Sequence, residues 1–208
     1  GRPERDWTRR LAMTQLGNGL WEAKRSADAL SVYEAELSML WRLGDSEGNI
    51  LATQSNLANT YHSLGRLEQA LEVERDVYTG RLKLFGEEYE NTLISANNYA
   101  IYLNKAKRFE ETKSVLRKMV PVARRVLGEP HELTLSMKKV YAQMLYNDTS
   151  ATLDDLREAV TRLEDAERIA QRVLGRAHPD TAEIENSLRE SRAALQLRLE
   201  VCLEDMSL

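Results

Sequence analysis

A stretch of 42 residues recurs along this chain, and a period of that length leaves few folds open. Residues 51–92 read LATQSNLANTYHSLGRLEQALEVERDVYTGRLKLFGEEYENT, and residues 93–134 repeat the plan. Asn98-Tyr99-Ala100 stands for Asn56-Leu57-Ala58, Arg108-Phe109-Glu110 for Arg66-Leu67-Glu68, and Leu127-Gly128-Glu129 for Phe85-Gly86-Glu87. Gly44, Gly86 and Gly128 are spaced by 42 residues, and Gly175 follows after 47, so five residues are inserted there. A unit this short cannot bury its apolar face alone. Units of this length stack on their neighbours into one continuous core, which is a solenoid.

Each unit reads as a hairpin of two helices, A and B. In helix A, residues 51–64, Leu57 and Tyr61 lie four apart, flanked by Ser55, Asn56, Asn59 and His62; that is one apolar stripe on a polar helix. Gly65-Arg66 interrupts the pattern. Leu67 then opens helix B, which carries Leu71, Val73, Val77 and Leu84 and is closed by Gly86. No strand-like alternation competes.

Overlaying the units exposes a packing code. Helix A places a large residue (Leu16, Leu57, Tyr99, Tyr141), then a small one (Gly17, Ala58, Ala100, Ala142), then a second large one three further on (Leu20, Tyr61, Leu103, Leu145). Helix B places Ser26, Leu67, Phe109 or Leu156 three residues before Ala29, Ala70, Thr112 or Ala159. Small residues let paired helices approach and large ones fill the gaps, so these positions are expected to be core. The extra five residues fall within residues 146–155, lengthening one A–B turn that offers Asp148, Thr149, Ser150 and Thr152 as caps. A tolerated surface insertion is the expectation there, with an added contact loop the alternative. After Thr181 the code fails at Arg189 and Arg192, yet Ile184, Leu188, Leu195, Leu199 and Cys202 keep one helical stripe. This predicts a capping helix over 181–206, or else a helix that holds a second copy. The expected organisation is one all-α solenoid over 1–208, with repeats near 8–49, 50–91, 92–133 and 134–180.

The pattern large-small-x-x-large followed by Gly-x-[Leu/Phe]-x-x-small resembles the tetratricopeptide repeat. The 42-residue period and the tail Leu-Gly-x-x-His-Pro-Asp-Thr at Leu174–Thr181 make it similar to the longer repeats of kinesin light chains. The resemblance runs from about Leu11 to Thr181. It implies a right-handed α-α superhelix whose A helices line a concave groove that takes an extended peptide or disordered segment. The positions it assigns to that groove are Gln15, Asn18 and Trp21, then Asn56, Asn59 and His62. Asn97, Asn98, Ile101 and Lys105 follow, and then Lys139, Val140, Gln143 and Tyr146. Amide side chains donate and accept together, so they can pair with any peptide backbone. Asn is a poor helix former, and several on one face call for a reason. Lys105 and Lys139 beside Asn97 and Asn98 would suit an acidic ligand group.

Composition narrows the function classes. The net charge of −4, with both signs interleaved, argues against a general nucleic-acid binder. No apolar run approaches the ~18 residues of a membrane span. Cys202 is the single cysteine, which excludes an intrachain disulfide and suits a reducing, cytoplasmic setting. The N-terminus GRPERDWTRR has no signal-peptide core, and its Gly1 start suggests a cut or processed chain. His131 and His178 recur in step with the fold, beside Pro130 and Pro179, which marks them as turn residues rather than a catalytic pair. With no phosphate loop, nucleophile motif or metal spacing, no enzyme activity, cofactor or metal is expected. The expected function is a protein-binding adaptor or scaffold, with a monomer favoured. The alternative is an architectural subunit joined through its B-helix faces, its terminal helix or Trp7 and Trp41, as an oligomer.

Overall fold

The computed structural model describes the backbone of residues 2–206 and the side chains of residues 7–203. The described residues are all-α: α1 (Arg2–Glu22), α2 (Ser26–Leu43), α3 (Glu47–Ser63), α4 (Leu67–Phe85), α5 (Glu90–Lys105), α6 (Phe109–Leu127), α7 (Glu132–Asn147), α8 (Leu153–Val173) and α9 (Pro179–Met206). They form repeating hairpins of the tetratricopeptide-solenoid kind, closed by the long α9. Two compact units divide within α5, at Ser95 and Ala96. In the first, α2 packs on α1 and α3, and α3 on α4. In the second, α7 packs on α6, α8 and α9, and α8 on α9.

The recurring glycines have a conformational reason. Gly44, Gly86, Gly128 and Gly175 all sit at positive φ, between 63° and 95°, where a β-carbon is unfavourable. Inside the hairpins the same device recurs with different residues. Gly65 (φ 76°) closes one turn, but Lys24 and Lys107 (both φ 58°) close the equivalent turns. In each, the next N–H (Arg25, Arg66, Arg108) donates to the carbonyl of the second large residue of helix A (Leu20, Tyr61, Leu103) at 2.9 Å. That bond holds two lysines in a region L-residues usually avoid. The turn is conserved in geometry although its glycine appears once.

Helix boundaries follow their caps. The α3 helix begins at Glu47 rather than at Leu51, because the Ser46 hydroxyl accepts the Asn49 N–H at 3.3 Å. Among the four cap candidates near the insertion, Thr152 is the N-cap of α8, in a reciprocal capping box with Asp155. Asp148 ends α7 and accepts from the Ser150 backbone and hydroxyl. The inserted turn is tied down: the Arg198 guanidinium of α9 donates to the carbonyls of Ala151 (2.9 Å) and Thr149 (3.3 Å), and Ala151 is buried. The α9 helix opens at Pro179, two residues before the expected start, at a first-turn position that suits proline.

The packing code holds from the second repeat onward. Leu57, Tyr99 and Tyr141 are buried, as are all four small residues of helix A and all four of helix B. Leu20, Tyr61, Leu67 and Phe109 are half-buried. Leu16 departs from the expectation: it is 55% exposed. Its counterpart Leu57 packs in a cluster with Ala29, Leu30, Tyr33 and Leu37, four residues of α2, the preceding helix B. Among the described residues no helix precedes α1, so Leu16 has nothing equivalent to meet. Leu84, expected on the buried stripe of α4, is also exposed. On α9 the buried residues are Thr181, Ile184, Ser187, Leu188 and Ser191, whereas Leu195 and Cys202 are half-buried and Leu199 is exposed. The helix caps α7 and α8 with its first half, and its hydroxyls and small side chains do much of the packing.

Candidate functional site

In the first unit, four residues assigned to the groove converge on one cleft. Asn18 and Trp21 come from α1, and Asn56 and Asn59 from α3; Glu22 and Tyr33 complete the lining of about 180 Å³. The sequence places them so because α1 and α3 are successive A helices in register. The Trp21 indole N–H donates to Ser63 Oγ at 3.1 Å, bridging 42 residues, one more than the 41 that separate Leu16 from Leu57. Arg10 donates to Asn49 across the same pair of helices at 3.3 Å. The Tyr33 hydroxyl reaches up from α2 and donates to Asn18 Oδ1 at 2.6 Å, which fixes that amide. The side-chain amide of Asn56 has no hydrogen-bond partner among the described residues, and it is half-buried. Gln15 is exposed and His62 half-buried; neither lines the cleft.

The cleft carries negative rather than positive charge. Burial, with the Glu36 and Glu22 carboxylates nearby, pushes the Tyr33 phenol up to about 12, so it stays a donor at any ordinary pH. Glu36 lies beneath, only 1% exposed. Its Oε1 accepts from the Thr14 hydroxyl at 2.5 Å, while Oε2 has no partner among the described residues. Burial raises its pKa above the usual carboxylate range, outweighing the Thr14 hydroxyl, the Arg10 charge and the Thr53 hydroxyl, which all favour the ionised form. The sign follows from linkage. A carboxyl whose folded pKa is raised contributes full stability below its unfolded pKa and loses it as pH rises through the folded one. Glu36→Gln is therefore expected to raise the urea midpoint at about pH 7, with the gain shrinking as the pH is lowered to about 4. A variant no more stable than wild type at pH 7 would contradict the account of a carboxylate destabilised by burial.

In the second unit the assigned residues are differently placed. Asn97 is buried and its Oδ1 accepts from the Ser136 hydroxyl of α7 at 3.3 Å. Asn98 and Ile101 are half-buried and Lys105 is exposed. Val140 is core, 1% exposed. The three polar groups of α7 are engaged by α9: Lys139 pairs with Glu183, Gln143 donates to Ser187 at 2.9 Å, and the Tyr146 hydroxyl donates to Glu190 at 2.7 Å. The partners are each 44 residues on, so this is a ladder between adjacent A helices. Burial and the Glu190 bond push the Tyr146 phenol far up. Sequence reasoning missed these partners. Glu183, Ser187 and Glu190 recur every three to four residues on α9, and that spacing was the available signal.

The histidines act in their turns. His131 Nδ1 accepts the Leu133 N–H at 3.2 Å, and His178 Nδ1 accepts the Asp180 N–H at 3.3 Å, so each caps the helix it precedes. Glu132, His178 and Asp180 bring three donor atoms within 4.8 Å of one another. A neutral His178 that accepts at Nδ1 carries its proton on Nε2, the atom facing Glu132 Oε1 at 3.9 Å. Coordination through Nε2 would move that proton to Nδ1 and cost the cap. Among the described residues no helix is long and apolar enough to cross a membrane.

Two family models, each described as "Tetratricopeptide repeat", match residues 49–125 and residues 149–180. No curated protein sequence matches. Among solved structures, the chain is similar to the nearly identical TPR-like repeats of a protein assigned as a Podosopora anserina kinesin light chain. Identity is 20% and the TM-score 0.73, over 92% of this chain and 89% of that one. A single-residue variant of the same protein gives 21% and 0.75 over the same shares. BtubC (BKLC) from P. vanneervenii gives 17% and 0.70, over 98% of this chain and 84% of that one. At these identities the likeness speaks for the fold.

Proposed function

We propose that this chain, a tetratricopeptide-repeat protein, is an adaptor that binds an extended peptide or disordered segment along its A helices. The observation that carries the reading is the cleft of Asn18, Trp21, Asn56 and Asn59. An amide with no protein partner, held half-buried beside an indole, is suited to a ligand backbone, since a buried polar group left unpaired is unfavourable. The indole supplies apolar area that is ordered before binding, because its N–H is held by Ser63. With Glu22 on the rim, an uncharged or basic stretch suits this cleft better than an acidic one. Lys139 is committed to Glu183, which removes one of the two cations that suggested an acidic ligand in the groove. The 42-residue period and the similarity to kinesin light chain-type repeats support that subtype, and the single cysteine supports a cytoplasmic setting. Binding is by shape and backbone hydrogen bonds, with no covalent chemistry.

The test is selection of peptides from a random displayed library on the wild-type protein, followed by titration of the enriched peptide. Asn56→Ala is expected to weaken binding about 10-fold, the effect of one buried hydrogen bond of roughly 1.4 kcal/mol, with unchanged helicity. Equal affinity in the variant would remove the cleft from the binding surface. A second reading, assembly through the B-helix faces, the terminal helix or Trp7 and Trp41, is favoured by the exposure of Trp7 and Trp41, 57% each, and of Leu197, 64%. Light scattering that finds a monomer at every concentration would remove its homo-oligomeric form.

A further inference from the structure

A second pocket, of about 240 Å³, lies in the second unit on a different set of helix faces. It opens between α6 and α8 over α7, and is lined by Leu116, Arg117, Val120, Pro121, Lys138, Tyr141, Glu158 and Arg162. None of these was assigned to peptide contact by the sequence. Tyr141 is its floor, 6% exposed, with the Arg162 guanidinium 4.7 Å from the ring centroid. Glu158 holds Arg162 through Nε at 2.7 Å, which leaves the two terminal nitrogens without a partner among the described residues. The stack and the Nε bond fix the guanidinium plane, so its fork is aimed before any ligand arrives.

The charges do not balance. Lys138, mostly buried, pairs with Glu129, which also takes Arg124 at 2.9 Å. Asp165, the next acid, is held by Arg168 at 2.5 Å. Arg117 stands beside the Tyr141 hydroxyl, with the Glu158 and Glu110 carboxylates within electrostatic reach. Four cations (Arg117, Arg124, Lys138 and Arg162) thus face three carboxylates (Glu110, Glu129 and Glu158), an excess of one positive charge, and of these acids only Glu158 lines the pocket itself. Burial, then the Arg124 and Arg162 charges, hold the Lys138 ammonium below its ordinary range, against the opposing pull of Asp165. The wall opposite is aliphatic, made by Leu116, Val120 and Pro121.

We propose that this pocket binds a phosphorylated side chain of a partner protein, with Arg162 and Arg117 on the phosphate, Lys138 behind them, and the aliphatic wall against the stem of the modified residue. A phosphomonoester carries about −1.5 to −2 at neutral pH and three acceptor oxygens, enough to engage both guanidinium groups at once, whereas a carboxylate offers two oxygens and a single charge. The site is independent of the cleft in the first unit, so partner capture here would depend on the partner's phosphorylation.

The experiment follows the Arg162 Nε–H and Tyr141 ring signals by NMR at fixed ionic strength. The probes are an acetylated, amidated Ala-Leu-phosphoSer-Leu-Ala peptide, its Ser and Glu counterparts, and inorganic phosphate. The expected result is a saturable shift with the phosphopeptide, at least 10-fold tighter than with the Ser or Glu peptide. It should be lost in Arg162→Gln, weakened in Arg117→Gln and unchanged in Asn56→Ala. Arg117 is exposed, so its replacement leaves the fold intact and keeps the test valid even if Arg162→Gln unfolds. Equal binding of the Glu peptide would make the site a carboxylate site. Inorganic phosphate binding as tightly as the phosphopeptide would make it a free-anion site. Unchanged binding in Arg117→Gln would move the ligand elsewhere. Each of these overturns the proposal.

Discussion

Leu57→Ala is expected to destabilise the protein by about 2–5 kcal/mol, while Leu16→Ala, at the equivalent position one repeat earlier, changes stability by less than about 0.5 kcal/mol. Leu57 is 4% exposed and packs among Ala29, Leu30, Tyr33 and Leu37, so truncation leaves a cavity that four neighbours on one rigid helix cannot all close. Leu16 is 55% exposed, and most of its surface is in water already. Chemical denaturation of both variants reads the difference as a shift in midpoint. Because stacked repeats need not unfold together, a probe in the first unit, such as Trp21 fluorescence, reports better than total helicity. Similar losses at the two positions would mean that a packed helix covers α1 in solution.

Gly17→Ala is expected to cost about 1–3 kcal/mol, although the same exchange usually favours a helix by up to ~1 kcal/mol. A β-carbon there would lie 2.5 Å from Cε1 and 2.7 Å from Cζ of Tyr33. That ring is 2% exposed and its hydroxyl is tied to Asn18, so it cannot retreat without opening the α1–α2 contact and the cleft wall together. Two residues on, a β-carbon at Gly19 meets nothing within 4 Å, so Gly19→Ala should stabilise the protein by up to ~1 kcal/mol. Opposite signs on one helix separate backbone propensity from packing. A stabilised Gly17→Ala would show that the two helices are further apart than described.

The later repeats use alanine where the first uses glycine, and the partner residue gives the reason. Helix B presents Tyr33 to Gly17, while the equivalent positions in the following repeats are Glu74, Leu116 and Leu163, which are smaller. The small position was legible from its period; the need for glycine at one copy was not, because that depends on a side chain 16 residues away. The hairpins, their glycines and most of the core were likewise legible, since they rest on local propensity and a repeated stripe. Leu16 was misjudged because periodicity says which face is apolar and nothing about whether a neighbour covers it.

The site divides in the same way. Asn18, Trp21, Asn56 and Asn59 meet as the repeat requires, because equivalent positions on successive A helices, 41 apart here as in Asn18 and Asn59, lie side by side. Asn97, Lys139, Gln143 and Tyr146 obey the same period, but their polar groups meet Ser136, Glu183, Ser187 and Glu190. A groove amide and an interhelix rung look alike in sequence. What separates them is whether the facing helix offers a partner, and this is settled only by packing. The pocket between α6 and α8 was invisible for another reason: its cations come from three helices at spacings unrelated to the period.

The most direct measurement of the central claim uses the cleft's own indole. A Trp7→Phe/Trp41→Phe variant leaves Trp21 as the sole tryptophan, since the chain has three. Titration with the selected peptide is expected to shift Trp21 emission to shorter wavelength, saturating with the Kd measured by calorimetry, and Asn56→Ala should weaken both together. Binding detected by heat with no change in Trp21 emission would place the ligand elsewhere on the chain and contradict the assignment of the A-helix cleft.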